Sequence, residues 1–187
     1  GLNPVKMERT GAYVDVGEGP IRLALRADID ALPVLEETEL DYASTIEGIA
    51  HACGHDIHTT VMLGTALALG RIQQAGLLAG RIRVIFQPAE EKLPGGAVSV
   101  IEQGILDEVP RILALHCEPR IDAGKIGTRI GAITSASDTI RIEVNGRGGH
   151  TSRPHLTEDI VFAMSQIATQ VQRHSSHRLP GRDHALP

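Results

Sequence analysis

The sequence predicts an α/β fold, because short apolar strands alternate with helical segments along most of the chain. Strands are expected at 21–27, 81–87 and 111–116, each a short apolar run. Helices are expected between them, over about 56–75 and about 95–104, where apolar residues recur with helical spacing. Strands that are separated by helices favour a largely parallel sheet.

Two details complete the predicted first domain. Residues 12–16 alternate between apolar and polar side chains, which indicates a further, half-buried strand, followed by a turn at 17–20. The long helix is predicted to end before Gly76, and its apolar positions are expected to support it: Ile57, Val61, Leu63, Leu67, Leu69 and Ile72.

The pattern changes after residue 119, which predicts a catalytic domain over 1–119 and a second, α+β domain over 120–187. Residues 138–145 alternate as a strand with one solvated face, and a glycine-rich loop follows at 146–155. Thr157 is a suitable N-cap for a helix that reaches about residue 171.

Composition excludes several classes of function. The net charge is −5 and the chain has no basic stripe, so no nucleic-acid partner is expected. No apolar run approaches the roughly 18 to 20 residues of a membrane span. The two cysteines, Cys53 and Cys117, lie beside histidines and acidic residues, which favours metal or catalytic use in a reducing compartment. We therefore expect a cytoplasmic protein.

The residues His-Ala-Cys-Gly-His-Asp-Ile-His at 51–58 form the densest group of candidate metal ligands. Cys53 and His55 can bind one Zn²⁺-like ion, or the thiolate can bridge two ions. Cys53 precedes a helix, whose dipole is expected to lower the pKa of the thiol. Three alternatives remain: a buried cysteine with surface histidines, a nucleophilic Cys–His pair, and a structural zinc site, although structural sites are usually richer in cysteine.

Further polar residues follow the predicted strands. Asp28 follows the strand 21–27, Glu90 and Glu91 follow 81–87, and His116 ends 111–116. The carboxyl ends of strands are where ligands bind in open α/β sheets. One glutamate can bind a metal ion while its neighbour acts as a general base on water. Each residue also has a simpler interpretation. Asp28 and Asp30 either line the site or only form a turn, the glutamates can be a solvated pair, and His116 can be structural.

Five stretches in this order resemble the di-metal amidohydrolases and carboxypeptidases of the aminoacylase superfamily. Within it, the sequence is most similar to the branch of hippurate hydrolase, auxin-conjugate hydrolase and N-acyl-amino-acid amidohydrolase. The similarity extends from about residue 10 to about residue 173. The stretches that carry it are 25–33 (Leu-Arg-Ala-Asp-Ile-Asp-Ala-Leu-Pro), 51–58, 87–91 (Gln-Pro-Ala-Glu-Glu), 114–116 (Ala-Leu-His) and 148–150 (Gly-Gly-His).

The resemblance implies a metal-dependent hydrolase of N-acyl amino acids or small peptide-like amides. Two divalent ions, Zn²⁺, Mn²⁺, Co²⁺ or Ni²⁺, would be expected, with Glu90 as general base. The ligands that it implies are Cys53, His55, Glu91 and His116.

It also implies a role for the second domain, as a ferredoxin-like lid through which two chains form a homodimer. His150 would bind substrate from this lid and stabilise the developing oxyanion in the partner subunit. Asp28 would lie at the edge of the site, and Asp56 and His58 behind its ligands or at the helix start.

Two features of the family pattern have no counterpart in these 187 residues. The family's final metal-binding histidine lies near the end of a longer chain, and its lid contains further strands and a second helix. We therefore expect this piece alone to bind metal weakly and to turn over poorly. The alternative is an inactive relative that acts as a binding or dimerisation module: the missing histidine favours it, and the presence of Glu90 counts against it.

Overall fold

A five-stranded sheet forms the centre of the first part of the chain. In space its order is β1-β2-β4-β3-β5. The strands are β1 (Val5–Lys6), β2 (Ala12–Val16), β3 (Ile21–Asp28), β4 (Arg81–Gln87) and β5 (Ile112–Ala114). β3 is parallel to β4 and β5, whereas β2 is antiparallel to both β1 and β4.

The sheet is therefore mixed: the largely parallel sheet that the sequence predicts is wrong for β2, and β1 is a strand that the sequence does not predict. The physical reason is the short connection between β2 and β3, residues 17–20. A parallel connection needs a crossover of a dozen or more residues, so the chain reverses direction here. The α/β architecture itself is present.

The structure is a computed structural model that describes residues 2–134 and 139–178, with side chains up to residue 171. The chain divides into a first unit, Gly1–Ala123, and a second unit, Gly124–Pro187. The sequence places this division slightly earlier, after residue 119. Among the described residues, no helix combines the length and the apolar character needed to cross a membrane.

Two helices pack on opposite faces of the sheet in the first unit. Helix α1 (His55–Gln74) contributes Met62 and Ala66 to a core with Val14, Ala27 and Val84. Helix α2 (Gly96–Glu102) contributes Val100 to a second core with Met7, Ala24, Ile85 and Ile105. Neighbouring residues of β4 point to opposite faces, so one strand supplies both cores.

The buried side of α1 differs from the predicted apolar face. His55, His58, Met62 and Ala66 are buried. Of the six predicted positions only Leu69 packs against the core. The other five are 40% or more exposed: Ile57, Val61, Leu63, Leu67 and Ile72. Polar contacts of the two histidines set the rotation of α1, and a count of apolar residues does not detect such contacts.

The second unit contains a single-turn 3₁₀ helix (Pro154–Leu156) and α3 (Ile160–Arg178). The predicted strand at 138–145 is absent from residues 139–145, and residue 138 lies outside the described part. A strand needs a neighbour to satisfy its backbone groups, and the described residues of this unit contain no other strand. The ferredoxin-like lid thus stays a prediction.

The start and end of α3 also differ from the prediction. Asp159, not Thr157, caps the helix: its carboxylate accepts the N–H of Phe162 at 2.8 Å. Thr157 instead donates its hydroxyl to the carbonyl of Pro154. The helix continues to Arg178, beyond the predicted end near residue 171.

Candidate metal centre

The polar residues of the first unit gather where three parallel strands end. Asp28 ends β3, Glu90 and Glu91 follow β4, and His116 follows β5. Because the carboxyl ends of parallel neighbours lie at the same edge of a sheet, these residues share one edge.

Gly54 provides the turn that starts α1 between Cys53 and His55. Its φ is 80°, a left-handed conformation that favours glycine. A Cβ atom at this position would lie 3.3 Å from Sγ of Cys117, so the neighbouring thiol also leaves little room. Its carbonyl accepts the N–H of both Ile57 and His58.

His55 is buried, and one of its ring nitrogens has no hydrogen-bond partner among the residues that the structure describes. Nδ1 lies 2.9 Å from the carbonyl oxygen of Asp30, so it must donate, and Nε2 keeps a lone pair. Nε2 is completely enclosed and unpartnered, 3.8 Å from Oε1 of Glu91 and 3.7 Å from Oδ1 of Asp28. A metal-ligating histidine commonly binds a carbonyl or carboxylate through its other nitrogen.

The donor atoms of Cys53, His55 and Glu91 lie within 4.8 Å of one another. A thiol, an imidazole and a carboxylate suit Zn²⁺ and related transition metals. His116 lies beside this group: its Nε2 is 3.6 Å from Sγ of Cys53, and its Nδ1 donates to the carbonyl of Cys117 at 2.7 Å. The residues present therefore fit a metal centre, with the orphaned Nε2 of His55 inside it.

The thiol of Cys53 behaves differently from the prediction. Burial raises its pKa to about 11, together with a hydrogen bond to Glu91 and the negative charges of Glu91, Glu90 and Asp28. The expectation that the dipole of α1 lowers this pKa is wrong, because burial and the three nearby carboxylates act in the opposite direction. A metal ion must displace the thiol proton in order to bind.

Asp28 and His58 form a buried chain behind the candidate ligands. Asp28 accepts Nδ1–H of His58 at 2.6 Å and a hydrogen bond from Arg26 at 2.6 Å. Burial would raise the pKa of Asp28, but the His58 hydrogen bond and the Arg26 charge outweigh it and lower the pKa. His58 accepts the N–H of Cys117 through Nε2 at 2.8 Å.

Both ring nitrogens of His58 already take part in hydrogen bonds, so neither is available to bind a metal ion. This favours the group of Cys53, His55 and Glu91 over a second group of possible ligands. Asp28, His55 and His58 also have donor atoms within 4.8 Å of one another. In that second group, therefore, the histidine nitrogen that can bind a metal ion is Nε2 of His55. His58 connects the end of β3 to Cys117, the residue after His116.

Asp30 contacts the site, and it is one of the two carboxylates, Asp28 and Asp30, for which the sequence leaves a turn or a site-lining role open. Its carboxylate accepts the backbone N–H groups of Glu90 and Glu91, each at 3.0 Å. Burial would raise the pKa of Asp30, but these two N–H groups outweigh it, and the pKa is lowered. The only signal in the sequence is a second carboxylate two residues after Asp28.

Two residues of the 51–58 stretch lie away from the ligand atoms. Asp56 is exposed in the first turn of α1, where a carboxylate interacts favourably with the helix dipole. His51 is exposed as well, and its carbonyl accepts the N–H of Gly54 at 3.2 Å.

His150 belongs to the second unit, where its ring orientation is fixed locally. Its Nδ1 accepts the N–H of Ser152 at 3.2 Å and lies 2.8 Å from the Ser152 hydroxyl. Nε2 therefore carries the proton in the neutral ring and can donate. Reciprocal hydrogen bonds between Arg147 and Glu158 hold this glycine-rich loop to the segment before α3.

A comparison with models of protein families shows to which family this chain belongs. A model of Peptidase family M20/M25/M40 matches residues 24–184. The chain belongs to this family. The match includes all the stretches that carry the predicted resemblance, which is thereby confirmed at the level of the family.

Individual M20 relatives agree with this assignment. The N-acetyl-L-cysteine deacetylase of Bacillus subtilis is 44% identical over 167 residues, 88% of this chain and 39% of that protein. The YXEP protein of Bacillus subtilis, solved as a dinuclear metal-binding peptidase of the M20 family, gives a TM-score of 0.62 at 41% identity, over 68% of this chain and 36% of that one. A solved chain from methicillin-resistant Staphylococcus aureus gives 0.77 at 35% identity, over 96% and 48%.

The M20 chain spans only part of its relatives. It covers between 23% and 47% of the length of the curated relatives that it matches.

Proposed function

We propose that this chain supplies the metal-binding part of a hydrolase that cleaves the amide bond of N-acyl amino acids or small peptide-like amides. The observation that carries the proposal is the buried, unpartnered Nε2 of His55 beside Cys53 and Glu91. The name of the Bacillus subtilis relative, N-acetyl-L-cysteine deacetylase, supports the substrate class.

Two divalent ions, Zn²⁺, Mn²⁺, Co²⁺ or Ni²⁺, would be held by four residues: Cys53, His55, Glu91 and His116. Bound there, such ions supply Lewis acidity, which polarises a carbonyl group and makes a water molecule more acidic. The thiol, imidazole and carboxylate donors favour these borderline metals over Mg²⁺ or Ca²⁺.

Glu90 is the proposed general base. Its side chain is exposed, next to the proposed ligand Glu91, and Asp30 holds the backbone of both residues. Glu90 would accept a proton from the attacking water and return it to the nitrogen of the leaving amine. A single positioned carboxylate can perform both transfers because the two steps follow one another.

His150 is the proposed oxyanion donor. Its neutral ring presents Nε2–H, because Ser152 donates to Nδ1. A preorganised donor of this kind stabilises the charge that develops on the carbonyl oxygen. We propose that the second unit acts as a lid and as the dimer interface, with His150 serving the site of the partner subunit.

The test is hydrolysis of N-acetyl and N-benzoyl amino acids by the metal-loaded protein that carries this sequence, with Glu90→Gln as the variant. Removal of the base is expected to lower kcat by about 10²- to 10⁴-fold, while metal content stays the same. Glu102→Gln, the same change at an exposed position of α2, is the control and should leave kcat unchanged.

Two results would contradict the proposal: full activity of Glu90→Gln, or a metal-loaded wild-type protein that binds N-acyl amino acids without hydrolysing them. The second result would support an inactive binding module. Assayed by itself, the 187-residue chain is expected to turn over poorly, and enzyme-like rates would contradict that expectation.

A further inference from the structure

His116 follows an edge strand that has few contacts. Strand β5 pairs only with β3 among the described strands, and its three residues are all exposed. His116 itself is exposed, and Cys117 is only partly buried. Segments with few buried contacts open readily, so a further contact must hold the ring nitrogen of His116 beside Cys53.

The further contact comes from His58, which lies on the inner face of α1. Its side chain is completely buried, and its Nε2 accepts the N–H of Cys117 at 2.8 Å. Its Nδ1 lies 2.6 Å from Oδ1 of Asp28 and donates to it, because an ionised carboxylate can only accept. The proton of His58 therefore stays on Nδ1, and Nε2 remains an acceptor.

Cys117 connects His58 to His116 through its main-chain groups. Its N–H donates to His58, and its carbonyl accepts Nδ1–H of His116 at 2.7 Å. The second hydrogen bond leaves the lone pair of His116 on Nε2, which lies 3.6 Å from Sγ of Cys53. The rings of His58 and His116 also pack together, with centroids 4.8 Å apart. His58 therefore contacts His116 both directly and through Cys117.

We propose that His58 is the positioning residue of His116: it fixes the backbone at Cys117 and thereby holds Nε2 of His116 where a metal ion can bind it. This inference rests on the proposed role of His116 as a metal ligand. The residue type follows from the geometry. One rigid ring offers a donor to Asp28 and an acceptor to Cys117 on opposite sides, whereas leucine offers neither.

The first test needs no variant. In the metal-free wild-type chain, NMR should show a nitrogen–nitrogen coupling across the hydrogen bond between the amide of Cys117 and Nε2 of His58. The amide proton of Cys117 should also exchange slowly with solvent, although its segment is partly exposed. Absence of the coupling, with the amides of β4 still protected, would overturn the inference.

The second test separates the two hydrogen bonds of His58. In His58→Asn the amide nitrogen can take the place of Nδ1, but the N–H of Cys117 loses its acceptor. In His58→Gln the amide oxygen can take the place of Nε2 and keep that acceptor.

The two variants should differ in their affinity for Zn²⁺, measured against a competing chelator. Substitutions behind metal ligands typically weaken metal binding by about 10- to 100-fold. We expect that loss in His58→Asn and a smaller loss in His58→Gln. His51→Asn, the same change at an exposed histidine of the first unit, is the control and should bind Zn²⁺ as the wild type does.

A double-mutant cycle with His116 distinguishes positioning from a general loss of stability. If His58 acts through His116, then in the background of His116→Ala the change His58→Asn should alter Zn²⁺ affinity by less than about twofold. An equal loss in both backgrounds, or no loss in the wild-type background, would overturn the positioning role. If His58→Asn unfolds the first unit, His58→Gln replaces it in the cycle, and its smaller loss must likewise vanish with His116→Ala.

The outcome is separable from that of the proposed hydrolase, because neither the coupling nor the Zn²⁺ affinity depends on turnover. If the metal-loaded protein does not hydrolyse N-acyl amino acids, the cycle still decides whether His58 positions His116. If hydrolysis is found and Glu90→Gln abolishes it, equal losses of Zn²⁺ affinity in the two backgrounds would refute the positioning role alone.

Discussion

The two units contain similar sequence patterns, but only the first turns them into a packed structure. Every buried hydrophobic side chain among the described residues lies in the first unit, from Met7 to Ile105. In the second unit, Ile130, Ile140 and Val161 are each more than 70% exposed. An amphipathic strand or helix is stabilised by the surface against which it packs, so the pattern alone does not produce a strand at 139–145.

The polar residues differ in the same way. In the first unit, Asp28, Asp30 and His116 contact residues 25 or more positions away in the sequence. In the second unit, the partner of His150 is Ser152, two residues away. A preorganised site requires long-range contacts between rigid elements, which the first unit provides.

The same substitution should therefore change the free energy of unfolding more in the first unit than in the second. The largest difference between the units is expected for an isoleucine of the core. Ile85→Ala removes a side chain that is 1% exposed and is expected to lower the free energy of unfolding by about 2–5 kcal/mol. Ile140→Ala, at 79% exposure, should change it by less than about 0.5 kcal/mol. Urea denaturation followed by circular dichroism measures both, and equal losses would show that the second unit packs as tightly as the first.

The next largest difference between the two units is expected in the strength of their ion pairs. Arg83 binds both oxygens of Asp15 at 2.7 and 2.8 Å, donates to the carbonyl of Ile105, and is 12% exposed. Arg141 and Glu143 pair at 85% and 64% exposure.

Double-mutant cycles should give a coupling of about 1.5–3 kcal/mol for Arg83 with Asp15, and about 0.2–1 kcal/mol for Arg141 with Glu143. An equally large coupling for both pairs would show that the exposed pair of the second unit is as strong as the part-buried pair of the first.

The pH dependence of metal binding tests whether the centre lies in the first unit. The pKa of the Cys53 thiol is raised to about 11, so the thiol is protonated below that pH and metal must displace the proton. Affinity for Zn²⁺ should therefore rise with pH, with Cys53 alone contributing about tenfold per pH unit. Calorimetry should show this contribution lost in Cys53→Ser. His150→Asn should keep the slope, and a change there would implicate the second unit.

The smallest difference in stability between the two units is expected for substitutions of glycine. Gly54 and Gly124 both have left-handed φ angles, 80° and 83°, but a Cβ atom meets Cys117 only at Gly54. Gly54→Ala should lower the unfolding free energy of the first unit by about 1–2 kcal/mol. Gly124→Ala should leave that unit unchanged in the same thermal unfolding experiment, and a comparable loss would mean that the two units unfold together.

Much of the first unit could be predicted from the sequence, because its signals are local. The strands at 12–16, 21–28 and 81–87 follow from apolar patterns, and Gly76 follows the end of α1 closely. The gathering of Asp28, Glu91 and His116 follows from parallel strands that end at one edge, and the start of α1 adds Cys53 and His55. The short turn at 17–20 accounts for the direction of β2, but its pairing with β4 instead of β3 does not follow from its own residues.

Other features depend on contacts that a local pattern does not contain. The buried face of α1 carries His55 and His58, whose partners Asp30 and Asp28 lie more than twenty residues earlier. The pKa of Cys53 is raised by burial in the folded chain and then by Glu91 and Glu90, which follow another strand. Asp30 acts on backbone N–H groups, which every residue but proline has, so residue type alone does not identify the contact.

Titration of the chain with Co²⁺ tests whether Cys53, with His55 and Glu91, holds a metal ion as proposed. A thiolate bound to Co²⁺ gives a charge-transfer absorption band in the near ultraviolet. Cys117 offers a matched control, since its thiol lies close to Gly54 but belongs to neither group of candidate ligands. The band should form in wild type and in Cys117→Ser and be absent in Cys53→Ser. A band that survives Cys53→Ser, or that disappears in Cys117→Ser, would show that Cys53 is not the ligand.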